Sequence, residues 1–212
     1  MYIAVEGVIG VGKTTLVRLL KDSFEARVCL EVFEENPFLA RFYEDRERYA
    51  FQTQMFFLLS RYHQQRREIP DALHHSESSL LSDYTFDKDG IFARINLTGD
   101  ELEMYFRIHE ALAEKIPKPN LIVYLAAGTP SLMNRIALRD RSYERNMDAS
   151  YIDLLNRTYS AYFAGYSASP VLTVETDDLD FTRSEADLAW VENRIRQALK
   201  LAPFQPELPL EA

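Results

Sequence analysis

Residues 7 to 15 read Gly-Val-Ile-Gly-Val-Gly-Lys-Thr-Thr, preceded by Ile3-Ala4-Val5-Glu6 and followed by Leu16-Val17-Arg18-Leu19-Leu20. The spacing is G-x-x-x-x-G-K-[ST], a phosphate-binding loop, and the apolar runs on either side supply the strand and helix that such a loop requires. A glycine-rich turn can match this pattern by chance, but those flanks argue against it. Gly7, Gly10 and Gly12 let the backbone approach closely and turn successive N–H groups, Val11 among them, into one concavity for phosphate oxygens. Lys13 adds a charge for the β- and γ-phosphates, and the helix start adds its dipole. The Thr14 hydroxyl can ligate Mg²⁺, and Thr15 serves the α-phosphate side.

A net charge of -9 over 212 residues disfavours a nucleic acid polymer as partner, because phosphate backbones call for a broad basic surface. A small anionic ligand needs only a local one. Cys29 is the one cysteine, so an internal disulfide is excluded; its neighbours Val28 and Leu30 predict a buried strand position. The chain opens on a strand without a basic segment and apolar run before it, and no stretch approaches the ~18 apolar residues of a membrane span. A cytoplasmic protein without membrane contact is expected. The 47% hydrophobic composition suffices for one core. We expect a single domain over residues 1–202 and a proline-rich tail over 203–212, docked or frayed.

Further strands are predicted at Arg27–Val32, Ser79–Asp83, Leu121–Leu125 and Val171–Val174. Alternating helices make this a doubly wound α/β fold with about five parallel strands and helices on both faces. Ligands of such sheets bind beyond the carboxyl ends of the strands, where Glu31 and Asp83 lie. Glu31 is thus a candidate proton acceptor, with Glu34 and Glu35 as nearby alternatives, and Asp83 a candidate Mg²⁺ organiser. Asn36-Pro37 is expected to cap and start a helix. A long helix from about Ala50 to Leu73 places Phe51, Met55, Leu58, Leu59 and Tyr62 on a core face. Gln54 and Arg61, seven apart, share a face whose pattern alone favours solvation. Helices are also expected within Thr85–Asn96, with Ile91-Phe92-Ala93 packed inward, from Gly99 to about Ile116, and from about Ser184 to Lys200. The four histidines lack metal-site spacing, and His74-His75 reads as a helix end.

Arg135, Arg139 and Arg141 fall within seven residues. A charge run is ordinarily a solvated face. Beside a phosphate-binding loop, arginine forks that neutralise a phosphoryl group in transit are the better reading. They would form an arginine-bearing lid that excludes water.

As a set, the phosphate loop, Glu31 with Asn36-Pro37-Phe38-Leu39 and Phe42-Tyr43, then Gln54 and Arg61, then Arg135-x3-Arg139-x-Arg141-x2-Glu144 closely resemble the deoxyribonucleoside kinases over residues 2 to 200. The resemblance implies a P-loop kinase-type fold, transfer of the γ-phosphate of ATP with Mg²⁺ to a deoxynucleoside 5'-hydroxyl, and a homodimer. By position it implies that Glu31 activates the hydroxyl, that Tyr43 and Glu144 bind the sugar 3'-hydroxyl, and that Gln54 and Arg61 bond the base, which overrides their solvated reading. It further makes Phe42 and Phe92 apolar or stacking contacts, Tyr151 a neighbour of the sugar and the three arginines those of the lid. Asp177 and Asp180 fall in the loop around the adenine of ATP, with a generic acidic turn as the alternative.

Many members carry Asp-Arg-Ser or Glu-Arg-Ser after the third strand, where this chain has Asp83-Tyr84-Thr85. Asp-Tyr, a lysine four residues later and Ile91-Phe92-Ala93 resemble the bacterial deoxyguanosine kinases rather than the deoxyadenosine kinases. A purine deoxynucleoside, deoxyguanosine first, is the expected acceptor; a broad-specificity kinase, a thymidylate kinase and a nucleotide-binding switch module are the rivals. The acceptor phosphate of a thymidylate kinase would be repelled by Glu31, and a switch module needs no such ordered set of Glu31, Gln54, Arg61 and lid arginines.

Overall fold

The computed structural model describes residues 1–33, 35–74, 79–145 and 147–204. Glu34, His75 and most of the proline-rich tail therefore lie outside the described residues. Five parallel strands, β1 (Tyr2–Gly7), β2 (Ala26–Cys29), β3 (Ser79–Ser82), β4 (Leu121–Ala126) and β5 (Val171–Glu175), form one sheet in the order β2-β3-β1-β4-β5. The phosphate-loop strand is central because both its faces are apolar and fully covered: Ile3, Ala4 and Val5 have no exposed surface.

Eight helices are described: α1 (Lys13–Leu20), α2 (Leu39–Glu44), α3 (Arg46–His74), α4 (Lys88–Asn96), α5 (Gly99–Ala113), α6 (Thr129–Arg139), α7 (Ala149–Ala164) and α8 (Glu185–Ala198). The step from β1 to β2 runs one way along the sheet and the later steps run the other. Right-handed crossovers then place α1 on one face and the connections through α3, α4–α5 and α6–α7 on the other. The direction changes between β1 and β3. The crevice beyond their carboxyl ends is where an open sheet binds its ligand, and the residues that leave those two ends are the phosphate loop and Asp83.

Some local expectations shift. The helix after Pro37 starts at Leu39, because Asn36 does not cap it: its side-chain oxygen accepts from the Phe38 N–H (3.0 Å) and its amide donates to the Thr53 carbonyl (3.2 Å). On α3, Leu58 and Tyr62 are buried and Phe51 and Met55 half-buried, but Leu59 is 42% exposed. The inward face belongs instead to Thr53, Gln54, Phe57, Arg61 and Gln65, all buried. Phe92 faces a cavity while Ile91 and Ala93 are buried. Cys29 is buried at the end of β2, and His74 closes α3. At the start of the tail, the Phe204 N–H donates to Asn193 (2.9 Å) on α8. Among the described residues no helix is long and apolar enough to cross a membrane.

Gly7 ends β1 with φ 146°, and a β-carbon there would stand 2.4 Å from the Leu125 carbonyl oxygen on β4. Gly7→Ala should therefore cost at least ~2 kcal/mol, from backbone strain and overpacking together. Urea denaturation of the purified variant measures it.

Candidate active site

The phosphate loop is shaped by its glycines. Gly12 holds the N-cap of α1 in the left-handed region (φ 106°), which turns the loop into the helix axis. Gly10, Val11, Gly12, Lys13, Thr14 and Thr15 line one side of a cleft of about 820 Å³. Gly7, expected to face phosphate, does not line it. Its N–H is taken by the Glu6 carboxylate (3.2 Å), and its carbonyl accepts from Lys13 Nζ (2.8 Å) because β1 ends there against β4. Burial, and then the Lys88 charge, push the Lys13 ammonium down to about 8.

Asp83 leaves β3 opposite Thr14, whose hydroxyl donates to its carboxylate at 2.5 Å. The other Asp83 oxygen accepts the Glu31 N–H at 2.8 Å, which fixes the chain just past β2. Glu31 thus stands two residues beyond its strand rather than within it. Its Oε1 accepts from Arg61, with the Nε contact at 3.1 Å, and its Oε2 accepts from Lys88 Nζ at 2.5 Å. Burial alone would push the Glu31 carboxyl up. The Arg61 and Lys88 charges outweigh that and hold it well below the usual carboxylate range. Arg61 also pairs with the fully buried Asp89, and its guanidinium lies 4.4 Å from the centre of the Phe57 ring.

A second cavity opens beside the cleft. Glu31, Phe42, Tyr43, Gln54, Arg61, Asp83, Phe92 and Glu144, the residues expected to bind an acceptor, all line it. The Tyr43 ring packs edge-on against Phe42 (5.3 Å) and nearly parallel to Tyr143 (6.1 Å), and burial raises its phenol well above the ordinary range. Glu144, buried in a short 3₁₀ turn (Ser142–Glu144), accepts from Arg139 at 2.5 and 2.7 Å and lies 3.7 Å from Arg141. Gly10, Lys13, Thr14, Arg139 and Arg141 line both spaces. The two cavities therefore meet at the middle of the phosphate loop, an arrangement able to pass a phosphoryl group from one to the other.

The deoxynucleoside kinase family model matches residues 3–200. The chain belongs to the deoxynucleoside kinase family. It is 35% identical over 202 residues to a deoxyguanosine kinase of Bacillus subtilis (strain 168), covering 93% of this chain and 97% of that one. To a deoxyadenosine/deoxycytidine kinase of the same organism it is 28% identical, over 93% and 92% of the two chains. The solved structure of a deoxyadenosine kinase from M. mycoides with bound dCTP superimposes with a TM-score of 0.79 at 23% identity, over 93% of this chain and all of that one. Its five-stranded parallel sheet and the surrounding helices are thus those of a P-loop kinase, and the protein is a phosphotransferase acting on a deoxynucleoside.

Not every expected residue of this kinase stands where the sequence placed it. The three arginines line one cleft but take different partners. Arg135 is turned to the Thr176 hydroxyl (3.0 Å), the Thr176 carbonyl (2.5 Å) and the Val11 carbonyl (3.4 Å), so it ties β5 to the phosphate loop, although it lines the cleft with the other two. Asp177 and Asp180 also line the cleft, but their carboxylates serve local structure. Asp177 accepts the Gly128 N–H before α6 (3.0 Å), and Asp180 accepts from the Thr182 hydroxyl (2.5 Å). Tyr151 does not line the acceptor cavity; its hydroxyl accepts from Asn96 (3.2 Å) and Arg46 covers its ring. Asp89, Phe57 and Tyr143 had no role in the sequence reading, and Lys88 entered it only through the likeness to the bacterial deoxyguanosine kinases. Lys88-Asp89 looks like an ordinary charged helix start, and no periodicity marks it as buried. The pairing of Arg61 with Asp89 is testable. Removing one partner of a buried pair strands the other charge, so Asp89→Ala should cost ~3 kcal/mol or more, and Asp89→Ala combined with Arg61→Met less than the sum of the two. Equilibrium denaturation of the three variants checks this.

Proposed function

We propose that this kinase transfers the γ-phosphoryl group of ATP to the 5'-hydroxyl of a purine deoxynucleoside, deoxyguanosine before deoxyadenosine, with Mg²⁺. The observation that carries this reading is the shared wall. The cavity with Glu31 on it and the cleft with the phosphate loop on it have Gly10, Lys13, Thr14, Arg139 and Arg141 in common. An acceptor hydroxyl against Glu31 then faces the last phosphate of a nucleotide in the cleft. The 5'-oxygen bonds to the γ-phosphorus as the bond from that phosphorus to the β–γ bridging oxygen breaks. ADP leaves, and the hydroxyl proton passes to Glu31. Glu31 starts ionised, because Arg61 and Lys88 hold its carboxyl below the usual range, and so has a lone pair for that proton.

Lys13, Arg139 and Arg141 surround the position where charge spreads over the transferred group, while Arg135, on the same cleft, braces the loop through the Val11 carbonyl. Thr14 and Asp83 offer two hard oxygen donors beside the loop, a set that fits Mg²⁺ completed by phosphate and water oxygens. Among the described residues no cluster of three or more His, Cys, Asp or Glu could hold a metal by itself, in keeping with a metal that arrives with its nucleotide. Bound there, the ion neutralises phosphate charge.

Tyr43 and Glu144 would meet the sugar of an acceptor in the cavity they line, and Gln54 and Arg61 with Phe42 and Phe92 its base. Guanine presents two acceptors, O6 and N7, that match an arginine fork. The 35% identity to a deoxyguanosine kinase supports the same preference. A nucleotide acceptor is disfavoured, since its phosphate would meet the ionised Glu31.

Glu31→Gln should lower kcat by ~100-fold or more with less change in nucleoside affinity, since it removes the proton acceptor while the amide keeps a hydrogen-bonding oxygen. Steady-state rates beside calorimetric binding read this, and unchanged turnover would eliminate Glu31 as the base. Arg61→Ala should weaken the acceptor and level the rates on the four deoxynucleosides. A coupled assay on all four tests it, and an unaltered ranking counts against Arg61 as the base reader.

A further inference from the structure

Glu31 presents two chemically equivalent oxygens, and the surrounding helices make them different. Oε1 takes two donors from Arg61, on α3, and has no lone-pair site left. Oε2 takes one donor, Lys88 Nζ, and keeps one site open. Lys88 is rigidly placed for this. It is the first residue of α4, only 6% exposed, with its ammonium 5.8 Å from the centre of the Phe92 ring on the acceptor wall. It stands against the catalytic carboxylate from the side opposite the arginine, and its field reaches both Lys13 and the buried Glu6.

We propose that Lys88 is a positioning residue of the transfer reaction: it orients the Glu31 carboxylate so that Oε2 is the oxygen that accepts the proton of the acceptor hydroxyl. This rests on the reading of Glu31 as the base. A carboxylate held from one side only, by Arg61, is free to rotate about its last bond and to turn either oxygen, or an edge already occupied, toward the substrate. A second cation at 2.5 Å on the other oxygen removes that freedom. Small misalignments at a proton-accepting atom are costly, because proximity and orientation carry much of the rate. The arrangement also divides the labour of two cations. Arg61 is divided between Asp89 and Glu31 Oε1, while Lys88 is paired with Oε2.

The test is a double-mutant cycle on the full chain, with deoxyguanosine and ATP as substrates. Lys88→Met should lower kcat by ~30-fold while the deoxyguanosine KM changes less than ~3-fold, and Lys88→Arg, which restores a charged donor, should recover most of the loss. In the Glu31→Gln background, whose residual turnover no longer uses the carboxylate, Lys88→Met should change the rate by less than ~3-fold, since the two residues act as one unit. A residue that merely supports α4 would slow both backgrounds by the same factor, and that result overturns the proposal. So does a Lys88→Met loss confined to KM, or a Lys88→Arg enzyme as slow as Lys88→Met. Should Lys88→Met fail to fold, as judged by its thermal transition, Lys88→Gln takes its place in the cycle. Full activity of Glu31→Gln by itself refutes the base assignment. Full activity of Lys88→Met with a slow Glu31→Gln refutes only the positioning role.

Discussion

An ionised carboxylate taken out of water costs several kcal/mol unless cations or N–H groups surround it. Four carboxyl groups, Glu6, Glu31, Asp83 and Asp89, gather at the carboxyl end of this sheet, three of them almost without exposed surface. Their partners come from separate parts of the chain: Lys13 from α1, Arg61 from α3, Lys88 from α4, and the N–H groups of Gly7, Glu31 and Thr85. This demand for pairing ties the helices to one another at the site. It brings α3 and α4 together over the end of β2, and so builds the wall of the acceptor cavity from the same contacts that make the charges tolerable.

That economy explains why the site is rigid where chemistry needs rigidity. Asp83 contributes one oxygen to Thr14 of the phosphate loop and the other to the backbone of Glu31. A single side chain therefore sets the distance between the phosphate loop and Glu31. Glu6 does the same one layer deeper, where it links the Gly7 N–H to the backbone and hydroxyl of Thr85. On the far side Glu144 gathers Arg139 and Arg141, so that the end of α6 and the segment after it border both cavities at once.

Much of this was legible in the chain. The loop from Gly7 to Thr15 required a strand before it and a helix behind it, and the apolar runs at 121–125 and 171–174 could be little else than buried parallel strands. Glu31, Gln54 and Arg61 were singled out by their places at a strand end and along a helix face, and the family pattern ranked them. What escaped was whatever depends on a partner distant in sequence. Arg135 is spaced like a member of the arginine cluster and shares its cleft, yet Thr176, just past β5, takes its guanidinium. Leu59 fits the apolar stripe of α3, yet the helix buries a polar face toward the cavity and leaves that leucine outside.

The sequence by itself determined the central strand, the phosphate loop, the alternation of strands and helices and the set of residue types at the site, because these follow from local spacing and side-chain chemistry. Only the tertiary structure decided that Lys88 and Asp89, whose burial no local pattern marks, are buried against Glu31 and Arg61. The reason is physical. Charges more than fifty residues from Glu31 acquire their roles only when the fold removes the water between them, and no pattern along the chain records which side of α4 will face the carboxylate.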